Sequence, residues 1–159
     1  MREFGHRLHH QTPGWVKRGA SFHVRIRVQA TGSTVLTEPT LALQLLAAAR
    51  RYHDLGRWWC ELFLLMPDHL HALMVFPAQP GMSETIRDWK RGVTRFQRVA
   101  WQTNYFDHRI RNAAEFAETW HYIRRNPVEK GLCAHEDDWS WWWSALTSTR
   151  SGGNGDDAR

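Results

Sequence analysis

The chain has 159 residues, the size of one domain, and its 42% hydrophobic and 23% charged residues are typical of a globular protein. No run approaches the ~20 apolar residues of a membrane span, and residues 1–14 lack the apolar stretch of a signal peptide, so we expect a cytoplasmic protein. Lys and Arg outnumber Asp and Glu by 21 to 16, which favours nucleic acid or an anionic membrane surface as the partner.

The first part of the chain predicts a basic extension, a strand and a helix. Residues 1–20 are polar, basic and rich in His, and we expect them to precede the domain. Apolar and polar residues alternate over residues 22–29, a pattern typical of a half-buried strand. Residues 39–53 have apolar side chains at helical spacing, and Pro39 suits the first turn of that helix. The polar face of the strand consists of His23, Arg25 and Arg27.

The middle of the chain predicts a hairpin and a second helix. Residues 58–66 and 69–76 are apolar runs, and Pro67-Asp68 between them is typical of a turn. We therefore expect two antiparallel strands. Ser83 is the expected N-cap of a helix that runs to about residue 99. The predicted apolar stripe of this helix consists of Ile86, Trp89, Val93 and Phe96.

A third helix completes the predicted domain. Residues 105–110 are expected to be extended, and Asn112 is expected to cap the helix that follows. Asn126-Pro127 should end it, because the residue before proline avoids helical geometry. The element order predicts an α+β fold of the split βαβ, or ferredoxin-like, type: an antiparallel sheet with helices on one face, and an additional helix. We expect the domain to span residues 21–146 and residues 147–159 to form a disordered tail.

Two histidines, His69 and His71, lie two positions apart on the second strand of the predicted hairpin. Side chains at i and i+2 of a strand point to the same face, so the two imidazoles point the same way. Both faces of the strand are otherwise apolar, which predicts a central strand, where buried imidazoles need partners. The pair fits either a divalent metal site or two satisfied core histidines.

A tyrosine and an asparagine, Tyr122 and Asn126, lie four positions apart near the end of the third helix and so share one helical face. A tyrosine hydroxyl can attack a phosphodiester, and an asparagine oxygen can bind a metal or help to fix a phosphate. Each residue also has a structural interpretation, because Tyr122 fits a packing role and Asn126 fits a helix stop.

Several basic residues are candidates for contacts with a nucleic-acid backbone. Two lie on the first strand, where they are expected to line the sheet near the histidines. Others lie on the second helix or beside Tyr122. A solvated helix face, or favourable charge at a helix C-terminus, explains the helical ones equally well. The candidates are Arg25, Arg27, Arg87, Lys90, Arg91, Arg95, Arg124 and Arg125.

Three segments together resemble the HUH single-tyrosine transposases (the IS200-like transposases), in the branch of the REP-associated tyrosine transposases. Residues 66–73, MPDHLHAL, are similar to their metal motif, in which two His flank one apolar residue. Residues 122–132, YIRRNPVEKGL, resemble their tyrosine helix, and residues 101–111, WQTNYFDHRIR, resemble the segment before it. The similarity covers about residues 21–143 and keeps the family order of motifs.

The resemblance implies an active site. Tyr122 would be the nucleophile, forming a covalent 5′-phosphotyrosine and releasing a 3′-hydroxyl, and His69 and His71 would bind a divalent ion. Asn126 stands where insertion-sequence relatives have a glutamine as third ligand, although asparagine is usual in the REP-associated branch. Two imidazoles with oxygen ligands suit Mg²⁺ or Mn²⁺, whereas Zn²⁺ would favour a third nitrogen or sulfur ligand.

The leading hypothesis is therefore a metal-dependent endonuclease and strand transferase that acts on single-stranded DNA near hairpins, as a monomer or homodimer. A second hypothesis is a non-catalytic, domesticated copy that binds hairpin DNA. A third is an HUH nickase that initiates replication. Cleavage that depends on Tyr122 separates the first from the second, and a requirement for a replication origin separates the third.

Overall fold

An antiparallel sheet lies at the centre of the fold. The computed structural model describes residues 12–147; predictions for residues 1–11 and 148–159, including nearly all of the expected tail, lie outside the described residues. The elements are α1 (Gly14–Arg18), β1 (Ser21–Arg27), α2 (Pro39–Asp54), β2 (Trp59–Leu65), β3 (His69–Val75), α3 (Met82–Gln97), β4 (Phe106–Arg109), α4 (Ala113–Glu129), a 3₁₀ turn (Glu136–Asp138) and β5 (Trp142–Trp143). The strand order is β4-β1-β3-β2-β5. None of the helices within this range is long and apolar enough to cross a membrane.

This topology confirms the predicted ferredoxin-like α+β fold. The elements from β1 to β4 follow the predicted order, and β2 and β3 form the predicted antiparallel hairpin. Three further elements are absent from the sequence-based prediction, and one of them is the 3₁₀ turn. Helix α1 lies within the expected extension, and β5 adds a fifth strand, in which Trp142 and Trp143 pair with Leu64 and Phe63 of β2.

The two faces of the sheet have different covers. Helices α2 and α3 pack on one face, where side chains such as Val24 and Ile26 of β1 join the larger hydrophobic core. Helix α4 packs on the other face, over a smaller cluster that includes Leu64 and Leu73. Because β3 lies between β1 and β2 and has a cover on each face, all seven of its residues are buried. The histidine strand is therefore central, as predicted.

Helix α3 differs from its prediction at both ends. It follows Gly81, whose φ of +90° favours glycine, so Ser83 is not the N-cap. The predicted stripe is buried as far as Val93, but Phe96 is 79% exposed. The helix ends at Gln97, and after a left-handed turn at the next residue it is Val99 that enters the core.

Helix α4 continues through Pro127, so the predicted stop at Asn126 is wrong. The helix ends at Glu129, and the Lys130 N–H donates to the Asn126 carbonyl to close the last turn. Proline has no N–H to donate to the carbonyl of Ile123, and its ring crowds that carbonyl. The Pro127 side chain is buried, and this packing offsets the lost hydrogen bond.

The side chain of Asn112 caps α4, as predicted, by accepting a hydrogen bond from the Glu115 N–H at 2.9 Å. We expect Asn112→Ala to lower the free energy of unfolding by about 1 kcal/mol, because this N–H loses its acceptor. Chemical denaturation measures the change. Asn112→Ser, which keeps an acceptor oxygen, should retain most of the stability, and equal losses in both variants would contradict the capping role.

Candidate active site

Strand β3 carries His69 and His71 on the face of the sheet that α4 covers. They share this face with Leu73, which belongs to the hydrophobic cluster under α4. The exposed fraction of His69 is 7% and that of His71 is 1%. Imidazoles buried to this extent need partners for their ring nitrogens.

Two nitrogen atoms converge on Nε2 of His71. Nε2 of His69 lies 3.1 Å from it, and Nδ2 of Asn126, on α4, lies 3.2 Å from it. A neutral imidazole nitrogen has at most one lone pair, which does not fully satisfy two donors. The amide oxygen of Asn126 is buried and has no hydrogen-bond partner among the described residues. This small cluster is therefore incompletely satisfied by the protein alone.

The same cluster has the donor chemistry of a cation site. Amide oxygen and nitrogen are exchanged by a 180° rotation of the Asn126 side chain, which directs the oxygen towards His71. Two imidazole nitrogens and one amide oxygen then become available, a donor set that fits Mn²⁺ or Mg²⁺. Within residues 12–147, no three His, Cys, Asp or Glu side chains form a group that could hold a metal. The Asn126 amide is the side chain from α4 that contacts the imidazole pair.

A neighbouring side chain lies within hydrogen-bond distance of Nδ1 of each of the two histidines. Nδ1 of His69 lies 2.6 Å from the Asp68 carboxylate, and Nδ1 of His71 lies 2.9 Å from Nε2 of His23 on β1. When each Nδ1–H donates to these partners, each Nε2 lone pair is left for a ligand. Strand pairing predicts that His23 lies nearby, but neither this bond nor the role of Asp68 is visible in the sequence, where Asp68 reads only as a turn residue.

Burial favours the neutral form of these imidazoles. It lowers the pKa of His71 to about 2 and that of His23 to about 4, and nearby positive charges add to both effects. Burial also lowers the pKa of His69, against the opposing effect of the Asp68 carboxylate. A neutral imidazole is the form that can bind a metal ion.

Tyr122 lies beside the histidines and remains open to solvent. Its ring centroid is 5.8 Å from that of His71 and 6.3 Å from that of His23, with both rings edge-on. The side chain is 56% exposed, whereas Asn126, one turn further along α4, is 6% exposed. A single chain therefore brings together the tyrosine, the asparagine and the two histidines that the sequence singles out.

Two of the predicted basic residues lie at this site. In the register of β1 with β3, Arg25 is opposite His71 and Arg27 is opposite His69. Residues directly opposite in an antiparallel pair share a face, so both arginines lie on the histidine face of the sheet. Both are only partly buried, which leaves them available to an anionic ligand.

The sequence predicts that Arg124 contacts the DNA backbone, but the structure buries this residue. It is 4% exposed, and its guanidinium lies 3.7 Å from the ring centroid of Trp142 and 3.5 Å from the Asp137 carboxylate. Arg125 is exposed further along α4. The remaining candidates belong to α3, which packs on the opposite face of the sheet. They are Arg87, Lys90, Arg91 and Arg95.

The fold places a His pair on a central strand beside the helix that carries Tyr122, an arrangement that is consistent with the predicted resemblance to the HUH single-tyrosine transposases. Among solved structures it is similar to a REP-associated tyrosine transposase bound to a REP hairpin, with a TM-score of 0.69, 21% identity and 87% of each chain covered. It is also similar to a candidate transposase from Deinococcus radiodurans, with a TM-score of 0.51, 16% identity, and 72% of this chain and 95% of that chain covered. The fold is that of the REP-associated tyrosine transposases.

Sequence comparison also finds a REP-associated tyrosine transposase among the relatives of the chain. The chain is 26% identical to the REP-associated tyrosine transposase of Escherichia coli K12, over 48% of each protein. It is 30% identical to an uncharacterized protein of Haemophilus influenzae, over 42% of this chain and 52% of that protein. The chain thus spans about half the length of these curated relatives, and no family model matches it. The predicted resemblance to the REP-associated branch is confirmed.

The buried imidazoles make the stability of the metal-free protein depend on pH. The pKa values of His71 and His23 are lower in the folded chain than the ordinary 6.5, so the unfolded chain binds more protons below that pH. Their contribution is fully present above pH 6.5 and is lost as the pH falls towards the folded values. We expect the free energy of unfolding, measured in urea, to fall between pH 7 and pH 5.

His71→Leu removes one of these groups and should reduce that pH dependence. The exposed His121 on α4 provides a control, since His121→Ala should keep the wild-type dependence. If His71→Leu and wild type lose stability equally between pH 7 and pH 5, the buried neutral imidazole is not the cause.

Proposed function

We propose that the protein is a metal-dependent endonuclease and strand transferase for single-stranded DNA, which acts near hairpins through a covalent 5′-phosphotyrosine. The observation that carries the proposal is the convergence of His69, His71 and Asn126 within 3.2 Å contacts, with the Tyr122 ring beside them. A candidate nucleophile, a candidate cation site and two partly exposed arginines thus occupy one face of the sheet.

Two observations support DNA as the substrate, and the first of them points to a hairpin. The solved relative with the same fold is bound to a REP hairpin. On this chain, Arg25 and Arg27 lie opposite the two histidines and remain partly exposed, where they can contact backbone phosphates. A phosphate held there would lie within the reach of Tyr122.

Each residue of the site has a role in this proposal. His69, His71 and Asn126 would hold Mg²⁺ or Mn²⁺, which when bound polarises the scissile phosphate and offsets its developing negative charge. With a proton on each Nδ1, Asp68 and His23 would accept hydrogen bonds from the Nδ1–H groups and fix the direction of both imidazoles. The orientation of both ligand rings is therefore set by the protein before DNA binds.

The chemical step belongs to Tyr122. Its oxygen loses its proton and attacks the scissile phosphorus, and a new P–O bond forms to the tyrosine. The bond from phosphorus to the 3′ oxygen breaks, and that oxygen takes up a proton to leave as a 3′-hydroxyl. Because a phenolate leaves more readily than an alkoxide, a DNA 3′-hydroxyl can later reverse the step and join strands.

A covalent adduct tests the reaction. Hairpin DNA with single-stranded flanks, labelled at the 3′ end and incubated with Mn²⁺ or Mg²⁺, should give a protein–DNA adduct that survives denaturing electrophoresis. Tyr122→Phe should reduce the adduct by about a thousandfold or more, because the nucleophilic oxygen is missing. Tyr105→Phe is the matched control and should keep wild-type activity, since the Tyr105 hydroxyl bonds to Ser83 away from the cluster.

Mass spectrometry of the adduct should locate the nucleotide on Tyr122. If no adduct forms with any flank sequence or metal, and hairpin binding persists in Tyr122→Phe and His69→Ala, the protein is a non-catalytic hairpin binder. An adduct on another tyrosine would equally overturn the proposed role of Tyr122.

Metal binding tests the ligand cluster separately from cleavage. Mn²⁺ affinity, measured by electron paramagnetic resonance on the DNA-free protein, should be lost in His71→Ala. In His23→Ala it should fall about 10- to 100-fold, because His71 loses the acceptor that fixes its tautomer. His23→Gln retains an acceptor oxygen and should recover part of the affinity, while the exposed His121→Ala should bind Mn²⁺ like wild type. Unchanged affinity in His23→Ala would contradict this role.

A further inference from the structure

Helix α4 leaves part of the histidine face of the sheet uncovered. The helix packs over β2 and β3, where its Ile123 joins the hydrophobic cluster, while all four residues of the edge strand β4 are exposed. Between the uncovered strands and the helix lies an open hollow of about 360 Å³. It is lined by His23, Arg25, Phe106, Glu118, Thr119 and Tyr122.

An exposed aromatic ring lies at the sheet side of this hollow. Phe106 is 43% exposed, and it pairs with Arg25 across β4 and β1. The Arg25 guanidinium lies 5.0 Å from the centroid of the Phe106 ring. The guanidinium lies over one face of this ring, and the rest of the side chain is exposed. Such a combination suits unpaired nucleotides, because a base can stack on the open part of the ring while the cation contacts the phosphate.

The hollow borders the attacking group directly. Tyr122 lies on its helix side, and His23, which bonds to His71, lies at its base. The centroid of the His23 ring is 5.6 Å from that of Phe106 and 6.3 Å from that of Tyr122. A base stacked on Phe106 would therefore lie in the same hollow as the Tyr122 side chain.

We propose that this hollow is a subsite for one unpaired nucleobase, the one next to the scissile phosphate, and that Phe106 is its stacking platform. The position relative to the scissile bond rests on the proposed function; the binding of an unpaired base does not. Glu118, on the helix side, gives the subsite a preference. A carboxylate accepts a hydrogen bond from the exocyclic amino group of cytosine, whereas the corresponding position of thymine is a carbonyl that repels it.

Photocrosslinking locates the base. The probe is a DNA hairpin with single-stranded flanks in which 5-iodocytosine is placed at one flank position at a time. The protein is Tyr122→Phe in EDTA, so that neither cleavage nor metal is involved. We expect a crosslink to the β4 peptide containing Phe106 from one flank position. Crosslinks confined to other parts of the chain would overturn the proposal.

Affinity for unpaired DNA supplies a second measurement. Phe106→Leu should weaken binding of single-stranded (dC)12 by roughly 5- to 100-fold, the effect of losing one stacked base. Phe96→Leu is the matched control, because Phe96 is also an exposed phenylalanine but lies on α3, on the opposite side of the sheet. Equal effects of the two substitutions would contradict a dedicated subsite.

The predicted base preference has its own comparison. Wild type should bind (dC)12 about fivefold or more tightly than (dT)12, and Glu118→Gln should reduce this difference because its amide can also donate to thymine. If Glu118→Gln keeps the wild-type difference in affinity between (dC)12 and (dT)12, Glu118 does not set the base preference.

The outcomes of these tests are separable from those of the adduct assay. If the adduct forms on Tyr122, but Phe106→Leu binds (dC)12 like wild type and no crosslink reaches the β4 peptide, the subsite is wrong and the proposed reaction stands. If no adduct ever forms but the crosslink to Phe106 appears, the base-binding subsite stands and the reaction is wrong.

Discussion

The burial of two imidazoles on the central strand is the constraint on which the rest of the site depends. A strand with neighbours on both edges and a cover on both faces cannot leave His69 and His71 without partners. Asp68 meets this requirement from the turn, His23 from the next strand and Asn126 from the helix above. Asp68 and His23 contact the two Nδ1 atoms, whereas the two Nε2 atoms and the Asn126 amide converge at one point, so the demands of folding and of ligand binding coincide.

The two faces of the sheet have different roles, because one carries the larger hydrophobic core and the other carries the candidate site. Helices α2 and α3 close the larger core with aliphatic side chains and the buried Trp58 and Trp89. The opposite face has one helix, which covers only the part of the sheet needed to bury Leu64 and its neighbours. The uncovered part is where the two partly exposed arginines, the open hollow and the tyrosine meet. Stability is thus supplied mainly from one side, which leaves the other side able to accept a ligand.

Much of this arrangement can be predicted from the sequence, and the reasons for the rest are physical. Alternation over β1, the apolar runs of β2 and β3 and the cap at Asn112 are local patterns, so the fold follows from them. The approach of Asn126 to His71 depends on how α4 crosses the sheet, which no local pattern encodes. Arg124 looks like a surface cation in the sequence, yet β5 places Trp142 over it. The sequence predicts that Asn126-Pro127 ends the helix, but α4 continues to Glu129. Tertiary packing of the buried Pro127 outweighs the low intrinsic helix propensity of proline.

The anchoring of α4 has a consequence for how DNA ends could be exchanged. On one side the helix is fixed by Asn126 and Ile123 against the sheet, and on another by Arg124 between Trp142 and Asp137. These contacts fix the part of α4 that follows Tyr122 against the sheet. If the protein acts as proposed, a DNA end attached to Tyr122 would stay where it was cut as long as these contacts persist, and the second strand would have to travel to the tyrosine. Any outward movement of the helix would withdraw Asn126 from the histidines at the same moment, so transport of the attached end and disassembly of the site would be one event.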